Sequence, residues 1–264
     1  MGLVLAVAPT SPESTVWVAG YQVVYRSTNG GVTFETLPLN IEGDLYSIQV
    51  DPNDVTHLIS GLHEIDGIVE STDSGTTWRL VGGTNFPSGG RSWYPFFINT
   101  GNAATTRTTW IALAQDGGSV VRTENSGGTW VIATGVEGLR HPHGNTQIHQ
   151  HGANVFVTGI EGPGGGIYQS TDWGQTFTRV STGGGGIVWG TATHVYAMWA
   201  WACSRCDLGA NFSVAPLAGM PWTSPDVPAE MIIGANHIAV TSDGTHNIFV
   251  GTMWASGMWR YVEP

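Results

Sequence analysis

Four short segments of this chain are versions of one another. They are Ser27–Phe34 (STNGGVTF), Ser71–Trp78 (STDSGTTW), Thr123–Trp130 (TENSGGTW) and Ser170–Phe177 (STDWGQTF), starting 44, 52 and 47 residues apart. An alternating run precedes each (QVVYR, GIVE, GSVVR, GIYQ) and a short apolar run follows (FETL, WRLV, WVIAT, FTRV). Two such runs around an Asx/Gly turn predict a β-hairpin. Upstream of every hairpin lie two more candidate strands, for example LYSIQVDP and HLISGLH before the second. Four strands in a unit of about 45 residues is the pattern of a β-propeller blade.

The repeated S/T-x-D/N-x-G-x-T-W/F segment resembles the Asp box of the sialidase-like, or BNR-repeat, propellers, over roughly residues 1 to 180. The resemblance implies that Asn29, Asp73, Asn125 and Asp172 tie their turns together. It also implies that the closing aromatics Phe34, Trp78, Trp130 and Phe177 pack between sheets. Elementary chemistry agrees: a short carboxylate or amide caps turn N–H groups, and glycine accepts positive φ at little cost. These acids are therefore structural. A sialidase also needs an arginine introduced by a Phe/Tyr-Arg-Ile-Pro segment, and none occurs here, so sialidase activity itself is not expected.

Beyond residue 180 the pattern continues without a box. IVWGTAT, HVYAMWAW, NFSVAPL and PWTS form a fifth unit, and NHIAVTSDGTHNIFVGTM with GMWRYV supplies three strands of a sixth. The expected fold is all-β, a single β-propeller domain over 1–264. It has six blades of four antiparallel strands, the last incomplete, with the Asp boxes on one face. Five or seven blades also fit the chain ends.

Composition removes other classes. Charged residues are 11%, too few for coiled coils or charge-rich disorder. All nine cationic residues are arginines, which excludes lysine Schiff-base chemistry and P-loops. A net charge of −11 argues against a nucleic-acid partner. No apolar run is long enough for a membrane helix. MGLVLAVAP reads as a first strand, lacking the basic flank of a signal peptide. Cys203 and Cys206 form a lone CxxC, read as a loop disulfide or two free thiols.

In a propeller, the links between blades and the second-to-third strand turns share the face opposite the boxes, where ligands bind. That face holds candidate catalytic residues His63, Glu64, Asp66, Arg91, Tyr94, His143 and His237. Candidate substrate-binding residues are Tyr46, Trp93, Arg140, His141, Trp189, Trp201 and Trp254. Histidine titrates near neutrality, carboxylates exchange protons with a leaving oxygen, and aromatic faces stack on sugars. The segment RHPHGNTQIHQH is the densest in titratable groups; a metal there is conceivable, but no cofactor is required by the sequence.

Loops that differ from blade to blade on a repeated scaffold favour one asymmetric pocket over a multivalent lectin. The expectation is a carbohydrate-active enzyme cleaving glycosidic bonds in an oligo- or polysaccharide. Hydrolysis would draw two carboxylates from Asp44, Glu64, Asp66, Asp116 and Glu161. Elimination from a uronate would use His143 or His63 as base, with Tyr46 or Tyr94 as acid. The alternative is a glycan-binding or interaction propeller without catalysis. Secretion or a periplasmic location and a monomeric state complete the reading.

Overall fold

In the computed structural model, each of the four repeated segments closes its hairpin with one set of hydrogen bonds. In the second, Ser71 Oγ accepts from Gly75 N–H at 2.9 Å and Asp73 Oδ1 from Thr77 N–H at 2.8 Å, while Thr77 Oγ1 donates to Asp73 Oδ2 at 2.6 Å. Asp172 and Thr176 repeat this geometry, and Asn29 and Asn125 accept from Thr33 and Thr129. Burial pushes the Asp73 and Asp172 carboxyls up, but the hydrogen bonds from Thr77 and Thr176 outweigh it and hold both below the usual carboxylate range. The fourth and fifth residues of these turns have positive φ, as at Ser74 and Gly75 or Trp173 and Gly174. A Cβ on Gly127 would collide with the Val81 side chain, so conformation and space both demand glycine there.

The structure describes residues 4–7, 15–82, 85–89, 91–114, 119–139, 148–159, 165–182, 186–199, 212–218, 220–231, 237–242, 245–253 and 257–262. The chain divides into two compact units, Met1–Gly138 and Leu139–Pro264. The first holds three four-stranded antiparallel sheets, each a simple meander. Sheet one is β1 (Val4–Val7), β2 (Val16–Gly20), β3 (Val23–Ser27) and β4 (Glu35–Pro38). Sheet two is β5 (Gln49–Asp51), β6 (Asp54–Gly61), β7 (Ile68–Ser71) and β8 (Arg79–Val81). Sheet three begins with β9 (Trp93–Phe97), followed by a short helix α1 (Ala103–Thr108) and then β10 (Trp110–Ala114), β11 (Val120–Thr123) and β12 (Val131–Ile132).

In the second unit, β13 (His149–His151), β14 (Asn154–Gly159), β15 (Gly166–Ser170) and β16 (Thr178–Ser181) form the fourth sheet. The fifth contains β17 (Gly186–Gly190), β18 (His194–Trp199) and β19 (Phe212–Pro216), and the sixth β20 (His237–Ser242), β21 (Asn247–Met253) and β22 (Gly257–Val262). The fifth sheet departs from the four-strand expectation. Among the described residues its outer strand is reduced to a single bridge, Val214 with Thr223, in a segment rich in proline that cannot sustain a ladder. Among the described residues no helix is long and apolar enough to cross a membrane.

Within the first unit, neighbouring sheets are tied by specific bonds. Trp17 Nε1 and Arg26 Nη1 both donate to Ser74 O, at 3.0 and 2.9 Å. Asn40 straddles the backbone of Trp78, giving and taking one bond at 2.9 Å each. Trp78 packs with Trp17 and Val24 of sheet one, and Trp130 with Ile59 and Ile68 of sheet two. The closing aromatic thus faces the preceding sheet. Phe34 differs from the expectation: it is 44% exposed, whereas Trp78, Trp130 and Phe177 are buried.

Candidate functional site

The link from β4 to β5 runs as a partial strand along the end of β6. Leu45 bridges Leu62, Tyr46 N–H donates to Gly61 O at 2.8 Å, and His63 N–H donates to Asp44 O at 3.0 Å. Alternation then sorts the side chains. Leu45 and Leu62 turn into the core, while Asp44, Tyr46 and His63 share the other side. Asp44 Oδ2 lies 3.3 Å from His63 Nδ1, with both side chains about a quarter exposed. Tyr46 stacks on His63 with centroids 4.7 Å apart, and the Tyr94 ring lies 4.9 Å from it. Gly61 permits this closeness, since a Cβ there would run into the carbonyl oxygen of Trp93. Tyr21, in the β2–β3 turn and bridged to Asp44, adds a ring that is 54% exposed.

A second cluster stands on the neighbouring loops. Asp66 accepts from Gly89 N–H at 2.5 Å and Arg91 N–H at 3.1 Å, with Trp93 Nε1 at 3.5 Å. Glu64 N–H donates to Ser92 Oγ at 2.9 Å. Glu64, Asn85, Arg91 and Ser92 all have positive φ without being glycine, a concentration of backbone strain typical of functional loops. Asp66, expected among the catalytic residues, thus accepts hydrogen bonds from the loop that carries Arg91.

Of the residues expected at the site, Tyr46, His63 and Tyr94 come together; Glu64 and Arg91 lie on the adjacent clasped loops. Trp93 is 1% exposed and packs on Phe86, so it serves the core and not an open stacking face. Trp189 is 6% exposed and lines an apolar cavity of about 170 Å³ in the second unit with Met198, Phe212, Trp259 and Tyr261. His237 opens β20, opposite Thr252. Arg140, His141, His143, Trp201 and Trp254 lie outside the described residues, as do Asp116, Glu161, Cys203 and Cys206. Among the described residues no group of three or more His, Cys, Asp or Glu could hold a metal ion. Sequence reasoning missed Tyr21 and Ser92. The hairpin turn of the first unit was the available signal for Tyr21; Ser92 gave none.

Chemically, an imidazole whose Nδ1 faces a carboxylate presents its Nε2 for proton transfer. Exposed Tyr21 and half-buried Tyr46 offer apolar faces beside it.

No known family model matches this sequence. Part of the chain is similar to polysaccharide-degrading enzymes. It is 27% identical over 173 residues to a xyloglucanase of Paenibacillus sp. and 30% identical over 156 residues to one of Acetivibrio thermocellus. These matches cover 53% and 48% of the chain but only 17% and 18% of those proteins. Among solved structures, the GH74 xyloglucanase from Xanthomonas campestris superimposes with a TM-score of 0.73 at 19% identity, over 97% of this chain and 44% of that one. An ancestral GH74 enzyme gives 0.62 at 14% identity, covering 98% and 38%, and YCF48 bound to D1 peptide gives 0.55 at 11%, covering 96% and 74%. This chain has the β-propeller fold.

Proposed function

We propose that this chain is the propeller portion of a glycoside hydrolase acting on a xyloglucan-like polysaccharide outside the cell. The observation that carries the reading is the Asp44–His63 pair beside the Tyr46 and Tyr94 rings, on a scaffold similar to xyloglucanases. Glycosidic hydrolysis needs one group to protonate the leaving oxygen and a second to activate water or attack carbon. Asp44, half-sheltered against an imidazole, supplies one carboxyl group, and Glu64 on the rim supplies the other. His63 holds or passes a proton at Nε2. Tyr21 and Tyr46 give stacking surface to neutral sugar rings, which suits a polymer without carboxylates and disfavours the uronate route. The four repeated turns are read as Asp boxes, supported by their shared hydrogen-bond set. No metal or organic cofactor enters this chemistry.

The test is reducing-end release from a panel of xyloglucan, mixed-linkage β-glucan, mannan and polygalacturonate, with and without chelator. Xyloglucan cleavage is expected, together with a loss of roughly 10²–10⁴ in rate for Asp44→Asn or His63→Ala. Stability should change by no more than about 1 kcal/mol in either variant. Binding of polymer without any new reducing ends would replace this reading with the non-catalytic one. Full activity in both variants would move the chemistry elsewhere.

A further inference from the structure

One residue from each strand of sheet two forms a line of charge through the interior. Asp51 ends β5, His57 lies in β6, Glu70 in β7 and Arg79 in β8. His57 Nδ1 lies 3.1 Å from Asp51 Oδ2, and Nε2 lies 2.8 Å from Glu70 Oε1. Arg79 Nη2 pairs with the other oxygen of Glu70. Asp51 and His57 are 0% exposed and Glu70 4%; of the four, only Arg79 reaches solvent. No step of the proposed reaction uses them.

Donor counting fixes the protonation state. An ionised carboxylate only accepts, and a neutral imidazole has one N–H and one lone pair. A neutral His57 would therefore turn a lone pair toward one of the two anions. Moving the proton to a carboxyl group is opposed at both ends. Glu70 also faces the Arg79 guanidinium, and Asp51 Oδ1 accepts from Asn53 N–H at 2.8 Å. With His57 as imidazolium the four charges sum to zero. Without its proton a buried carboxylate is left uncompensated, a costly arrangement.

The other elements packed on His57 add one opposing charge. Phe97 of β9 and Trp110 of β10 lay uncharged rings against it, at 4.9 and 6.0 Å between centroids. Arg107 of α1 stands nearby and disfavours the charge, but is itself paired with Asp54 at 2.5 Å. Burial works against the imidazolium, yet the hydrogen bonds to Asp51 and Glu70 outweigh it and raise the imidazole above its ordinary value.

We propose that Asp51, His57, Glu70 and Arg79 form a charge-balanced chain across sheet two, with His57 held as an imidazolium, and that this chain is an alkali-sensitive lock on the first unit. A folded-state value raised above the unfolded one gives stability that is complete below about pH 6.5 and is lost as pH rises through the folded value. The lock therefore weakens as pH rises through that raised folded value.

Nitrogen-15 NMR of the imidazole side chains in the unsubstituted protein tests this directly. The His57 resonance should show both ring nitrogens protonated at pH 7.5. A ring with one unprotonated nitrogen at that pH overturns the proposal. In parallel, His57→Gln should lower the melting temperature at pH 6.5, and the gap from the parent should narrow as pH rises, since the parent then loses its own cation. A gap that stays constant to pH 10 overturns it equally. Should that variant fail to fold, Asp51→Asn provides the second reading. It removes one anion and should shift His57 deprotonation, followed by NMR, to lower pH; an unchanged titration rejects the chain.

Discussion

His149 has the opposite electrostatic setting from His57. Its ring lies against Phe156, and a Cβ added to Gly190 would collide with its Nε2, so the end of β17 presses directly on it. Burial, with a smaller contribution from the charge of His151, pushes its imidazole down to about 4. Between about pH 6.5 and about 4 the unfolded chain binds a proton that the folded chain refuses, so stability falls as pH falls through that window. Chemical denaturation across that range should show a decline that His149→Phe abolishes. Equal slopes in the two proteins would reject the assignment. Asp73→Ala provides the second test at this scale. Loss of its cap should cost about 0.5–2 kcal/mol, toward the lower end because the turn is solvated, and leave any catalytic turnover of the folded fraction near normal. Lost turnover at unchanged melting temperature would contradict a structural role.

The strands and hairpins were legible from alternation and from the repeated turn, because each turn residue is dictated locally by a hydrogen bond or a positive φ. What escaped was set by partners distant in sequence. Helix α1 is six residues of Ala, Thr and Arg, too short for a periodic signal, with only the Asn102 cap to announce it. Nothing local tells that Phe34 faces solvent while Trp78 is buried. At the site, Tyr46, His63 and Tyr94 were legible as polar and aromatic residues of one face, but the Asp44–His63 pairing depends on a bridge that extends β6 beyond its own hairpin. Trp93 and Trp189 looked like stacking surfaces because tryptophan serves cores and sugar sites equally well. Gly61 tests this layer: Ala at that position drives a Cβ into the Trp93 carbonyl and separates β6 from β9. A loss of about 2–4 kcal/mol in the first unit is expected by urea unfolding, with a wider Tyr46–Tyr94 separation. A change under about 0.5 kcal/mol would show that the two backbones do not touch.

For the molecule as a whole, the two tuned histidines lie in different units, His57 in the first and His149 in the second. On this reading the first unit weakens as pH rises through the raised His57 value and the second as pH falls toward the lowered His149 value, through groups that take no part in the proposed surface chemistry. The repeats also differ in how far they can be exchanged. Ser74 O is gripped by the indole of Trp17 and the guanidinium of Arg26 together, so the first repeat is written partly in terms of the second. Excising the second repeat would strand the Trp17 and Arg26 donors, and excising the first would strand the Ser74 acceptor. Such a scaffold can lengthen or shorten by gene duplication only where the incoming unit brings its own Trp, Arg and accepting turn, and its history of copying is constrained at its seams more than in its strands.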